Sequence, residues 1–290
     1  MPTKISIIGC GAVGKTLALA LKRAGYTIAA LASRSSESAE KAAALAGEGG
    51  VAAPVDAARS GDLVFITTPD SAIVSVCDDI AEGGGFGAGQ TVLHCSGALT
   101  AEVLRAAREQ GAAVGALHPL QTFADPRKAA EMMSDTAFFF QGDDQASAAA
   151  EAIVAALRGR IFRIPAEGKP LYHAASAIAS NYLVALVDAA VELMQRSGME
   201  GGQEAALEAL MPLIRGAVNN LDNAGLTKAL TGPIARGDAE TVRGHIEALE
   251  DSAPHMLELY RVMGLRALDL ARRRGLPIDR AKEIDSILRS

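Results

Sequence analysis

The chain is short of most features that would take it outside the ordinary globular class. It has 3 cysteines in 290 residues, Cys10, Cys77 and Cys95. An odd number without CxxC spacing argues against a disulfide framework and against structural zinc, so no metal is expected. Positive charge is not in excess, because 28 Lys and Arg face 34 Asp and Glu for a net charge of −6. No basic field exists to gather nucleic acid. The one basic run, Arg272 to Arg274, stands directly before Gly275, the ordinary ending of a helix. There is also no unbroken apolar run of the roughly 18 residues that a membrane helix needs. The longest candidate, residues 174–187, is interrupted by Ser176, Ser180 and Asn181, and no membrane partner is expected. The opening MPTKISIIGC enters an apolar run and a glycine loop at once, leaving no room for a leader, so a cytoplasmic location is expected.

What is present is a large apolar fraction, 49% of residues, in a length that suggests two domains. Up to residue 165, short β-rich runs alternate with helical stretches: residues 4–9, 27–33, 62–67, 91–95, 113–117, 136–140 and 160–164. Runs such as LVFIT and AFFF are apolar throughout, as strands covered on both faces must be. The alternation predicts an α/β fold with a doubly wound, mostly parallel sheet over residues 1–165. Beyond Pro165 the β pattern stops. Apolar positions from Leu171 to Leu193 trace one face of a long helix over residues 167–197. Further helices are expected over 203–222, with Pro212 breaking or kinking it, over 238–249 and over 252–274, which makes 166–290 an all-α domain.

The segment Gly9, Cys10, Gly11, Ala12, Val13, Gly14 is a GxGxxG that follows a strand and opens a helix. In that setting Gly9 permits the tight turn, Gly11 admits a pyrophosphate to the backbone, and Gly14 lets helix and strand pack closely. With Lys15 and Thr16 the same residues satisfy GxxxxGK[ST], so the pattern also fits a nucleoside triphosphatase. The second strand favours the dinucleotide. It ends at Ser33, Arg34 and Ser35, about 20 residues past the glycines, where the first ribose lies. Arg34 replaces the acid that would accept from a 2′-hydroxyl, and a guanidinium between serines suits a 2′-phosphate. The expected cofactor is therefore NADP. Thr67, Thr68 and Pro69, at the end of the next strand, would line the same edge, and the loop there does not supply a metal-binding Asp directly after the strand.

On the long helix, Lys169, His173, Ser176 and Ser180 fall within a stripe of about 60° at about 100° per residue, with Asn181 at its border. The stripe could be merely solvated, or it could face a nicotinamide. An imidazole titrates near pH 6.5 and exchanges protons at neutral pH, which makes His173 the first candidate for general acid. His118 is its rival. Ser96, Ser176 and Asn181 would hold the substrate oxygen, and Lys169 could bind a carboxylate. Of the other histidines, His94 is expected to point into the sheet.

Taken in order, GCGAVG, ASRSS, TTPD, HCSGAL, LHPLQTF, KPLYHAASAIASN and TGPIARGD resemble a group of bacterial proteins classed as NADP-dependent oxidoreductases. These join a Rossmann-like N-terminal domain to a helical C-terminal domain of unassigned function. More distantly the layout is similar to pyrroline-5-carboxylate reductase, ketopantoate reductase and the β-hydroxyacid dehydrogenases. The resemblance implies a helical domain like the C-terminal domain of 6-phosphogluconate dehydrogenase. It also implies a homodimer formed through that domain, and hydride transfer between NADPH and a small carbonyl (2-oxo acid, ketopantoate-like) or imine substrate bound between the domains. In the dehydrogenases that helix carries a catalytic Lys followed one turn on by Asn. Here His173 with Ser176 stands in their place, although Lys169 lies one turn earlier. Two other classes stay open: a non-catalytic NADP(H)-binding sensor or regulator, and a P-loop nucleotide hydrolase.

Overall fold

A computed structural model describes residues 3–290. The chain divides into two compact units, residues 1–177 and 178–290. The first therefore extends past residue 165 and takes in most of the helix that carries Lys169.

In the first unit the elements run β1 (Lys4–Ile8), α1 (Ala12–Arg23), β2 (Thr27–Ala32), α2 (Ser36–Ala46), β3 (Gly50–Val51), α3 (Pro54–Ser60), β4 (Leu63–Ile66) and α4 (Asp70–Glu82). They continue with β5 (Thr91–His94), α5 (Arg105–Glu109), β6 (Ala113–Leu120), α6 (Pro126–Glu131), β7 (Ala137–Gly142), α7 (Asp144–Ala156), β8 (Arg160–Arg163) and α8 (Lys169–Ala179). The eight strands form one sheet in the order β3-β2-β1-β4-β5-β6-β7-β8. The first six follow the 3-2-1-4-5-6 order of dinucleotide-binding folds. All pairings are parallel except β6 with β7, which is antiparallel.

The strands are apolar on both faces because both faces are covered. Along β4, Leu63 and Phe65 join one buried cluster with Leu17, Leu21, Leu31 and Phe138, while Val64 and Ile66 join another with Ile73, Ile80, Val92 and Leu104. Each such side chain contributes roughly 1.5–3 kcal/mol through removal from water. Local chemistry sets several ends. Asp125 caps α6 by accepting from Arg127 N and Lys128 N at 2.8 and 3.2 Å, and Gly47 closes α2 in the left-handed conformation.

The second unit is helical: α9 (Asn181–Arg196), α10 (Gly202–Ala229), α11 (Pro233–Arg236), α12 (Ala239–Ser252), α13 (Leu257–Arg274) and α14 (Ile278–Arg289). Its core gathers Val242, Ile246, Leu268, Ile284 and Leu288, and Gly264 lets α13 approach Leu288 closely. Asp238 caps α12 through Thr241 N at 3.2 Å, and Arg272 to Arg274 close α13 against a left-handed Gly275.

Several sequence expectations change. The single helix over 167–197 is two, interrupted at Ser180 (φ −117°, ψ −70°). Ser180 and Asn181 both carry short polar side chains that compete for backbone hydrogen bonds. α10 runs through Pro212 and is broken instead at Gly225 (φ 70°, ψ 169°), a conformation that only glycine adopts freely. The two-residue strand β3 and helix α14 lack a signal strong enough to register in the pattern. Finally, Ala166–Arg196 is long and apolar enough to cross a membrane by length and composition, although Ser176, Ser180 and Asn181 interrupt its apolar run.

Candidate functional site

The glycine loop is built by backbone contact. Gly9 has φ +109°, and a Cβ there would stand 2.6 Å from Thr67 C and Thr68 N. A Cβ on Gly14 would meet Gly9 O and lie 2.8 Å from Thr67 Oγ1. Thr67 seals this packing by donating its hydroxyl to Gly9 O at 2.6 Å. Gly11, by contrast, faces open space, with nothing within 4 Å of where its Cβ would be. A ligand can therefore reach the backbone amides at the start of α1, whose dipole favours an anion. Arg34 is exposed just past β2 and makes no ion pair among the described residues. Thr16 is fully buried and donates to Ala12 O at 2.8 Å. The hydroxyl is thus turned back into α1 rather than out towards the glycine loop.

Further along the same carboxyl edge, a group of side chains gathers at the ends of β5 and β6. Lys169, at the start of α8, is 1% exposed, and its Nζ donates to Ser96 O at 3.1 Å. Burial pushes its pKa down to about 8, with the Asp70 carboxylate and the Cys95 thiol opposing. A buried cation needs such partners to persist. Ser96 Oγ donates to Asp70 Oδ2 at 2.7 Å and accepts from Ala98 N and Leu99 N at 3.2 and 3.0 Å. Its hydroxyl is thus engaged in holding its own loop rather than pointing at a substrate.

His94 is fully buried. Its Nε2 lies 3.0 Å from Thr100 O, which can only accept, while its Nδ1 accepts from Ser96 N at 3.1 Å. The ring is therefore a neutral bracket for the loop, and burial holds its pKa down at about 4. Cys95 is no nucleophile, since burial pushes its thiol up to about 12.

His118 and His173 converge on Gly97. Where a Gly97 Cβ would stand, His173 Nδ1 lies 2.7 Å away and His118 Cε1 and Nε2 lie 3.1 Å away. The two rings meet edge-on with centroids 6.5 Å apart. His118 has a pKa lowered to about 4 by burial, then by the charges of Lys169 and His173, with Asp70 opposing. Its Nδ1 lies 2.6 Å from the hydroxyl of Tyr172.

Four of the residues singled out from the sequence, Ser96, His118, Lys169 and His173, are therefore brought together. Ser176 turns back to its own helix and donates to Tyr172 O at 3.0 Å. Asn181 opens α9 in the second unit. Gly97 stands with Ser96 just past the carboxyl end of β5, as strand order leads one to expect, whereas two participants, Asp70 and Tyr172, carry no such signal in the sequence. Tyr172 lies about 60° from Lys169 on the helix, at the border of the polar stripe, where an aromatic passes for a packing residue.

Residues 2–119 match the family model of a Rossmann-like domain, and residues 136–267 match that of a domain of unknown function, DUF2520. The chain is thus a Rossmann-like domain followed by a DUF2520 domain whose match begins within the sheet. No curated protein matches the chain. Among solved structures, protein TM1727 from Thermotoga maritima is 25% identical with a TM-score of 0.74, over 94% of this chain and 100% of that one. A candidate NADP oxidoreductase of Bacteroides fragilis, BF3122, is 23% identical with a TM-score of 0.73, over 92% and 98%. A pyrroline-5-carboxylate reductase from Coxiella burnetii is 18% identical with a TM-score of 0.63, over 98% and 99%. The likeness to the last two is one of fold.

Proposed function

We propose that the protein is an NADP-dependent oxidoreductase acting on a small carbonyl compound, such as a 2-oxo acid of the ketopantoate kind, or on an imine. One observation carries the reading. Open space at Gly11 on the α1 terminus shares a sheet edge with a cation and two imidazoles gathered at Gly97. The amides following Gly11 would hold the pyrophosphate, the residues Thr67, Thr68 and Pro69 would flank the cofactor, and Arg34 between Ser33 and Ser35 would pair with the 2′-phosphate. When bound, the nicotinamide supplies or accepts the hydride.

The chain's own task is to place the substrate and move one proton. His173 gives its proton to the oxygen or nitrogen that loses its double bond, a role typically worth about 10²–10⁴ in rate. Lys169 is too enclosed, and too occupied with Ser96 O, to grip a carboxylate. Its charge instead favours the negative charge developing at that atom. The apolar surface of the second unit is proposed to pair with a second copy of the chain. Val184 and Leu213 are each 71% exposed and Leu226 is 67% exposed, which is costly for a lone protomer in water.

Two measurements test the reading. Thermal stabilisation by NADPH should exceed that by NADH and by Mg-ATP, since a ligand that binds only the folded state stabilises it by RT ln(1 + [L]/Kd). NADPH absorbance should fall with a member of a panel of 2-oxo acids, ketopantoate, cyclic imines and aldehydes. Greater stabilisation by Mg-ATP overturns the cofactor assignment. NADPH binding without turnover across the panel supports a sensor instead. If His173→Asn turns over an active substrate at the wild-type rate, His173 is not the acid. Light scattering in aqueous buffer should give a dimer, and a species soluble only in detergent would assign the apolar surface to lipid.

A further inference from the structure

We propose that Tyr172 is a positioning residue. Its phenol donates to His118 Nδ1 and fixes the ring as the Nε2–H tautomer, making His118 a neutral hydrogen-bond donor at Gly97. This rests on the proposed reductase reading and gives His118 a role distinct from that of His173.

The geometry leaves the phenol little choice. Its oxygen is 2.6 Å from His118 Nδ1, and the Ser176 hydroxyl is its other hydrogen-bonding neighbour. The Tyr172 ring is held on one side by Phe139, with centroids 4.3 Å apart and planes tilted by 36°. It meets the His118 ring edge-on at 5.6 Å. Phe139 in turn stacks on Phe162 at 5.4 Å. The hydroxyl is thus aimed by a row of rings that begins at strand β8. A half-buried phenol must place its proton somewhere, and the imidazole nitrogen at 2.6 Å is a stronger acceptor than the Ser176 hydroxyl, which itself donates to Tyr172 O. Burial pushes the phenol up to about 12, so it is present as O–H.

The groups facing His118 are Lys169 and His173, which disfavour a positive ring, and Asp70, which favours one. With Nδ1 accepting, the proton sits on Nε2, the nitrogen 3.1 Å from the Gly97 Cβ position. A neutral donor there recognises an acceptor atom, a carbonyl oxygen or an imine nitrogen lone pair, and orients it without surrendering a proton.

The test is ¹⁵N NMR of the histidine rings in the full-length protein at neutral pH, together with steady-state kinetics. In the wild type, His118, assigned by loss of its signals in His118→Asn, should show a protonated Nε2 and an unprotonated Nδ1. Tyr172→Phe keeps the ring on Phe139 and should show both tautomers. It should also lower kcat on an active carbonyl or imine substrate roughly 10-fold, the scale of one neutral hydrogen bond, with KM and NADPH affinity nearly unchanged. A wild-type His118 protonated on Nδ1 overturns the proposal, as does a Tyr172→Phe variant with an unaltered tautomer or an unaltered kcat. The spectra need neither cofactor nor substrate, so they decide the tautomer even if no reaction is found, whereas failure of the reductase reading appears only in the turnover assay.

Discussion

The glycine loop and the cluster at Gly97 share one edge of one sheet but are made by opposite means. The loop consists of backbone: Gly9 and Gly14 are pressed against Thr67 and the β1 end, and what matters is where side chains are missing. The cluster consists of side chains drawn from α4, β5, β6 and α8, among them the buried cation of Lys169 and the imidazoles of His94 and His118, both held neutral by burial. A backbone site tolerates no added atoms and is indifferent to pH. A side-chain site tolerates shape changes but answers to charge. Phosphate recognition suits the first because amides are always protonated, and proton transfer suits the second because imidazoles are not.

The comparison can be broken at either end. Lys169→Met removes the charge while keeping volume, and is expected to lower kcat by about 10²–10⁴, with a folding cost of about 1–3 kcal/mol from leaving Ser96 O without its donor. Because the Lys169 charge helps to hold His118 down, the His118 pKa should rise, as NMR titration can show. An unchanged kcat would make the cluster a scaffold.

Gly9→Ala should destabilise the fold by ~3 kcal/mol in denaturant titration, since the residue combines φ +109° with a backbone collision. A loss below ~1 kcal/mol would show the loop to be pliable. The pH response separates the regions further. His94 and His118 have folded pKa values near 4, below the ordinary imidazole value of about 6.5. Between those values the unfolded chain binds more protons, so stability is full above pH ~6.5 and declines as pH falls towards 4, by on the order of 3 kcal/mol for buried His94. His94→Gln should flatten that decline in urea unfolding measured between pH 4 and 7, and an equal slope would refute the assignment. The smallest effect is expected at the exposed position. Arg34→Ser should cut the preference for NADPH over NADH by ~10–100-fold while changing stability by less than ~0.5 kcal/mol, and titration of both coenzymes checks it.

The loop was legible because its meaning is local: GxGxxG after a strand and before a helix carries its geometry in six adjacent residues. The sheet was legible for the same reason, since strands covered on both faces read as apolar runs. The reversal of β7 against β6 was not, because an antiparallel partner buried on both faces shows the same composition as a parallel one. The cluster was legible only in part. Placing His118 and Ser96 at strand ends follows from topology, but the bond from Ser96 to Asp70 spans 26 positions and that from Lys169 to Ser96 spans 73, and no spacing rule reaches so far. Tyr172 was hidden by its neighbours, which made it one apolar ring in an alanine-rich helix. Ser180 interrupts what periodicity presents as one continuous helix, because the apolar pattern persists across the break.

The enclosure of Lys169 has a practical corollary. Its ammonium group meets solvent only when the start of α8 lifts away from the end of β5, so an acylating reagent can reach that amine only during such openings. With reclosure fast, the labelling rate of this one lysine, followed by mass spectrometry, reports the fraction of time that the start of α8 spends open. A ligand that clamps α8 down would slow it without touching the nitrogen.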